Sequence, residues 1–188
     1  DGRTEDVRAG NWHVKERKSM DFTKYIRDIP DYPKPGIVFK DLTGIWKDPA
    51  ANAASAKDIA DRYRDAGITK VAAAEARGFI VGTLVAAELG AGFLPVRKPG
   101  KLPWKTISES YELEYGTDTM EMHVDAVEPG DRVLLVDDLV ATGGTLGAIV
   151  RLVKRQGGTP VGIACIACLD FLHPEKKLDL PIFALVHY

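Results

Sequence analysis

The sequence predicts an α/β fold: a doubly wound, mainly parallel five-stranded sheet with flanking helices, a β-hairpin lid and a small hood from the N-terminal segment. Three observations predict it. Short apolar runs alternate with helical segments from Lys70 onward, and short strand–helix–strand connections mean parallel strands joined by right-handed crossovers. The apolar runs are nearly continuous, as in strands covered on both faces. The 188 residues are 45% hydrophobic, enough for one domain with a sizeable core.

The elements follow in order. Residues 1–20, "DGRTEDVRAGNWHVKERKSM", are polar and aperiodic. They read as an extension outside the fold, disordered or non-native, and residues 21–188 as a single domain. "DFTKYIRDI", Asp21 to Ile29, predicts a short amphipathic helix stopped by Pro30. The proline-rich "PDYPKPGIVFKDLTGIW" forms neither a long helix nor a central strand, and its irregular backbone keeps N–H and C=O groups unpaired. Residues 21–46 together make the hood. Asp48 can cap a helix with Pro49 in its first position, and Gly67 can stop it.

Lys70 to Glu75 is then a strand, Ile80 to Leu89 a helix ending at Gly90, and Gly92 to Arg97 a strand. "VLLV", from Val133, is the third strand, followed by a helix from Thr145 to Gln156. "PVGIACIACL" and "IFALVHY" are the fourth and fifth strands. Lys98 to His123 interrupts the alternation. Its second half has period two around "YGTD" and predicts a hairpin. Its first half, "KPGKLPWK", is a long polar loop of the kind that serves as a lid.

Composition excludes some classes. A net charge of −2 gives no global pull toward nucleic acid. No apolar run approaches the roughly 18 residues of a membrane span, and the N-terminus lacks an apolar signal-peptide core. The expected location is cytoplasmic. Cys165 and Cys168 form a CxxC, but the run around them is an apolar strand, where positions three apart face opposite ways. They read as small buried hydrophobes.

Ligands of an open parallel sheet bind beyond the carboxyl ends of its strands. That rim collects "EARGF", Arg97 with Lys98, "DDLVATGGT" and "LDF". In "ATGGT", glycines let successive N–H groups turn inward and the following helix adds its positive end, which suits a phosphate monoester. Asp137 and Asp138, at the end of the third strand, stand a few residues upstream. A carboxylate accepts two hydroxyl hydrogen bonds, which suits a ribose diol. The second acid can help hold a hydrated divalent cation. Arg77, Arg97 and Lys98 suit a further anionic group. Phosphate, ribose and diphosphate together describe 5-phosphoribosyl 1-diphosphate.

"VLLVDDLVATGGT" resembles the ribose-phosphate signature of the type I phosphoribosyltransferase family. "DYPKPGIVFKDLT", "EARGF", "VRKPGKLP" and "YELEYGTD" are similar, in order and spacing, to its adenine-specific branch. The resemblance covers roughly residues 21–169. It implies that Ala141, Thr142, Gly143, Gly144 and Thr145 cradle the 5-phosphate and that Asp137 and Asp138 face the ribose hydroxyls, with Mg²⁺ held through water. It implies that Glu75, Ala76, Arg77, Arg97, Lys98, Lys101 and Tyr115 meet the phosphoribosyl diphosphate, and that a cis peptide joins Glu75 to Ala76. Phe39 would stack on adenine, the backbone of Val38 and Lys40 would read its edge, and Leu169 would cover its other face. Glu114 matches the catalytic glutamate. The implied reaction is adenine plus phosphoribosyl diphosphate giving AMP and diphosphate, in a homodimer. Two alternatives are a 6-oxopurine phosphoribosyltransferase and a non-catalytic regulator that binds the same donor. The 6-oxopurine enzymes typically read their base with a lysine near the pocket, whereas "LDFLHPEKK", after the fourth strand, has Leu169 at the pocket position; residues 1–20 are too short for a DNA-binding domain.

Overall fold

The computed structural model describes residues 20–112 and 116–188. Residues 1–19 and Leu113 to Tyr115 lie outside the described residues, and with them Glu114, Tyr115 and all of the predicted extension but Met20, which packs against the core.

The first element differs from the expected helix. Phe22–Tyr25 makes one 3-10 turn, capped by Asp21, whose Oδ1 accepts from the Thr23 N–H at 3.2 Å. The chain then extends as β1 (Arg27–Pro30), antiparallel to β2 (Val38–Asp41), with Ile29 opposite Phe39. A nine-residue helix ending at a proline is marginal in water. Phe22 is its one buried anchor, and every residue of β1 is exposed, so the backbone pairs with β2 instead. The proline-rich segment is thus more regular than expected. One edge of β2 is hydrogen-bonded to β1, and only the other is left to read a ligand.

Two helices follow, α1 (Thr43–Lys47) and α2 (Pro49–Tyr63). Asp48 caps α2 as predicted, accepting from the Ala50 and Ala51 N–H groups at 2.9 and 2.8 Å. The alternation continues with β3 (Lys70–Ala74), α3 (Gly78–Leu89) and β4 (Gly92–Val96). Gly90 ends α3 with a left-handed φ of 65°. β5 (Thr106–Glu112) and β6 (Thr117–His123) form the predicted antiparallel hairpin. β7 (Arg132–Val140), α4 (Gly144–Arg155), β8 (Thr159–Cys168) and β9 (Ile182–His187) complete the domain.

The five-stranded sheet has the order β4–β3–β7–β8–β9, and every pair in it is parallel. Alternate residues of β7 feed two cores. Leu135 packs with Met120, Met122, Ile149 and Leu152 on the hairpin side. Leu134 and Val136 pack with Ile59, Val81 and Val85 beneath α2 and α3. The alanines of β3 have a reason. A Cβ on Gly82 would lie 2.9 Å from the Ala73 Cβ, so α3 sits almost on the strand backbone.

The cysteines depart from expectation. Cys165 and Cys168 pack in the same core. Ile166 and Ala167 both pack in the other, so the two-residue alternation slips by one between them. Both thiols are free and buried. Among the described residues no helix is long and apolar enough to cross a membrane.

Candidate active site

Asp137 and Asp138 are not at a strand end. β7 runs through both to Val140, pairing with β8 along the way. Asp137 Oδ1 accepts from the Asp138 N–H at 3.0 Å. Asp138 is 3% exposed, and Arg77 Nε stands 3.0 Å from its Oδ2. That contact is ionic without hydrogen-bond alignment, because Oδ2 has no hydrogen-bond partner. Burial, and then the Asp138 carboxylate, push the Asp137 carboxyl well above its ordinary range. Burial also raises Asp138, against the pull of Arg77.

Beyond Val140 the chain bends sharply into α4. Gly143 caps this helix at φ 81°, and a Cβ there would meet Leu178 Cδ1 at 2.8 Å. Glycine is therefore needed twice over at this position, for conformation and for space. Asp137, Thr142, Gly143, Gly144 and Thr145 line a recess of about 120 Å³ at the helix N-terminus. Backbone N–H groups and the positive helix end converge there, as an anion requires.

The turn after β3 carries the predicted cis peptide between Glu75 and Ala76. Glu75 reaches to the end of β4, accepting from Arg97 Nη2 at 2.9 Å and from the Lys98 N–H at 2.5 Å. Burial raises its carboxyl, but these two donors outweigh burial and the net shift is downward. Arg97 also donates to the Lys101 carbonyl at 3.1 Å. The lid lysines are placed differently from one another. The Lys98 amine turns onto Asp118 of the hairpin, while Lys101 is exposed.

The hood reaches the same rim. The Arg77 guanidinium lies 5.4 Å from the centre of the half-buried Phe39 ring, and Tyr32 meets that ring edge-on at 5.3 Å. Lys40 Nζ pairs with Asp28 at 2.7 Å and covers the Tyr188 ring, while Val38 is exposed. Leu169, half-buried, follows β8 and is fixed to β7 by its N–H to the Val140 carbonyl at 2.9 Å. The structure thus brings Phe39, Arg77, Asp138 and the recess beside Asp137 to one sheet edge.

A phosphoribosyl transferase domain matches residues 44–181. The adenine phosphoribosyltransferase of Pectobacterium carotovorum (strain PC1) is 60% identical over 153 residues, which span 81% of this chain and 83% of that protein. This chain belongs to the adenine phosphoribosyltransferase family. The crystal structure of the family member from Thermoanaerobacter pseudethanolicus superposes with a TM-score of 0.86 at 49% identity, covering 89% of this chain and 98% of that one. The Saccharomyces cerevisiae member, crystallised with an imino-altritol bisphosphate and adenine, superposes with a TM-score of 0.84 at 34% identity, covering 87% and 96%.

Three residues of this family member escaped the sequence reading. The Tyr111 hydroxyl lies 2.9 Å from Thr145 Oγ1 and 3.0 Å from Asp118 Oδ2. Asp118 is directly opposite Tyr111 in the hairpin and also pairs with Lys98. Gly78 leaves space for Asp137, since a Cβ there would fall 2.6 Å from Asp137 Oδ1. The signal for Tyr111 was its inward place in the period-two pattern of β5. Asp118 needed the hairpin register, and Gly78 needed the approach of α3 to β7.

Proposed function

We propose that the chain transfers the 5-phosphoribosyl group from 5-phosphoribosyl 1-diphosphate to adenine, giving AMP and diphosphate in purine salvage. One observation carries this reading. Arg77 contacts Asp138 at 3.0 Å and covers Phe39 at 5.4 Å, so one side chain joins the acids suited to ribose to the ring suited to a base. The recess beside Asp137 takes the 5-phosphate through Ala141 to Thr145. Glu75, Ala76, Arg77, Arg97, Lys98, Lys101 and Tyr115 serve the rest of the donor. Val38, Phe39, Lys40 and Leu169 serve adenine.

In the reaction a purine ring nitrogen forms a bond to the sugar C1 as the bond from C1 to the diphosphate oxygen breaks. Positive charge develops on the sugar, as in glycoside chemistry. Asp137 and Asp138 orient the ribose, and the arginines meet the charge left on diphosphate. Glu114 exchanges a proton with a purine ring nitrogen as general acid or base. Closure of the lid, residues 98–123, excludes water that would otherwise hydrolyse the activated sugar.

The acid pair also fits Mg²⁺. Two adjacent carboxylates share one arginine, both are shifted upward, and the buried Asp138 Oδ2 lacks a hydrogen-bond partner. A hydrated cation held by Asp137 and Asp138 offsets that charge, and when bound it stabilises the departing diphosphate. We further propose that residues 21–188 form a single domain, with residues 21–46 as its hood, and that the chain is cytoplasmic and homodimeric. Family membership supports the dimer, and a sedimentation mass near one chain would contradict it.

Diphosphate release with each purine base, with and without Mg²⁺, tests the reaction. Adenine should be the preferred acceptor, and higher activity with hypoxanthine or guanine overturns the choice of base. Glu114→Ala should lower turnover by about 10²–10⁴-fold while the donor still binds. Near-parental turnover would remove Glu114 from the mechanism.

A further inference from the structure

We infer that the chain carries a zinc site, separate from the acid pair, built from Cys168, Asp170 and His187. The sulfur of Cys168, a carboxylate oxygen of Asp170 and a ring nitrogen of His187 all lie within 4.8 Å of one another. His187 Nδ1 is already 3.0 Å from Asp170 Oδ2. Ligand atoms on one tetrahedral zinc stand roughly 3–4 Å apart, given Zn–S of about 2.3 Å and Zn–N of about 2.0 Å. Small side-chain rotations therefore close the site.

The backbone holds these three residues in place. Cys168 and His187 are register partners at the ends of β8 and β9. The Tyr188 N–H donates to the Cys168 carbonyl at 3.0 Å, and the Asp170 N–H to the Tyr188 carbonyl at 2.9 Å. Two strand ends and one tight connection thus present the ligands, the kind of rigid support a metal site needs. Asp170 and His187 are exposed while Cys168 is buried beneath them. An ion can enter from solvent, settle on the thiolate and keep a water as its fourth ligand.

The donor set selects the metal. Thiolate with imidazole favours Zn²⁺, whereas Mg²⁺ prefers oxygen ligands alone. Binding replaces the Cys168 thiol proton with zinc, and that proton leaves to solvent, so affinity falls as pH is lowered. The site borders the base pocket, since Leu169 lies between two of the ligands in sequence. It uses none of the residues placed in the reaction.

Cobalt(II) serves as a spectroscopic stand-in for zinc. The chain holds two cysteines in all, so a sulfur-to-cobalt charge-transfer band reports on one of these thiols. Reduced, chelator-treated full-length protein should bind one equivalent of Co²⁺ with that band, lose it to Zn²⁺, and keep it in excess Mg²⁺. Cys168→Ser should abolish the band. The surface variants His187→Ala and Asp170→Asn should each weaken binding by about tenfold or more, and Cys165→Ser should bind normally. Absence of the band in the parent protein overturns the site. So does equal loss in Cys165→Ser and Cys168→Ser, or unchanged affinity in both His187→Ala and Asp170→Asn. None of these readings requires transferase activity.

Discussion

The Tyr111 hydroxyl lies 2.9 Å from Thr145 Oγ1, joining the lid hairpin to the first turn of α4. A phenol has one proton to donate. Tyr111 gives it to the Asp118 carboxylate at 3.0 Å, so at this contact the Thr145 hydroxyl donates and Tyr111 accepts. An arriving 5-phosphate competes for that Thr145 proton.

Tyr111→Phe removes the competing acceptor and one anchor of the hairpin. The fold should lose about 0.5–1.5 kcal/mol, the usual worth of such a bond. The donor KM should stay within about threefold of the parent, less than the roughly 1.4 kcal/mol of a tenfold change. Denaturant unfolding and steady-state kinetics test the two halves. A tenfold rise in donor KM would mean that Tyr111 holds Thr145 for phosphate instead of competing with it.

Gly78 is a second point of contact between the βα turn and the acids. A Cβ at this position would lie 2.6 Å from Asp137 Oδ1 and 3.5 Å from the Val136 carbonyl. Gly78→Ala should push the Asp137 carboxylate out of place and cost about 1–3 kcal/mol of stability, as overpacking does. Donor affinity should fall more than adenine affinity. Calorimetric titration with each ligand separates the two, and equal losses would show a general collapse of the rim.

Much of this arrangement was legible in the sequence because it depends on local signals. Asp48 with Pro49 marks a helix start, Gly90 a helix end, and the apolar runs mark covered strands. β1 was missed because Arg27–Pro30 buries nothing, and its pairing with β2, through the backbone and the ion pairs Arg27–Asp41 and Asp28–Lys40, depends on register. The full length of β7 was missed because two acids resemble a strand terminus, and only the folded chain brings Arg77 to Asp138. The contacts of Tyr111 and the space beside Gly78 depend on register and helix approach, which no single segment encodes.

The acid pair should trade stability for binding. Asp137 has its carboxyl raised by burial and by Asp138, so the folded chain resists ionising it. The cost is absent at low pH and grows as pH rises above the ordinary carboxylate range, until the folded carboxyl itself ionises. Asp137→Asn keeps an oxygen for the Asp138 N–H and removes the charge. It should melt higher than the parent at pH 7 without ligand, with the difference shrinking toward pH 4. Its donor affinity should fall by about tenfold or more, the scale of a lost charged hydrogen bond. A lower melting temperature at pH 7 would show that the charge is already compensated in the free protein.

Tyr63 offers a test of the core far from the site. It is 8% exposed, its hydroxyl donates to the Ile163 carbonyl at 3.1 Å, and a Cβ on Gly162 would crowd that hydroxyl at 2.9 Å. Burial pushes the phenol up from 10.0 to about 12. Below pH 10 both folded and unfolded chains keep the proton, so the contribution to stability is complete. Above it the unfolded chain ionises first, and stability drains away until the folded phenol ionises near pH 12. One pH unit in that window is worth about 1.4 kcal/mol. At pH 9 the parent should exceed Tyr63→Phe by about 1 kcal/mol, the hydrogen bond alone. By pH 11 that gap should have closed, because the phenylalanine variant has no proton to lose. Unfolding free energies of both proteins at the two pH values decide it, and a constant gap would mean that the folded phenol ionises as readily as the unfolded one.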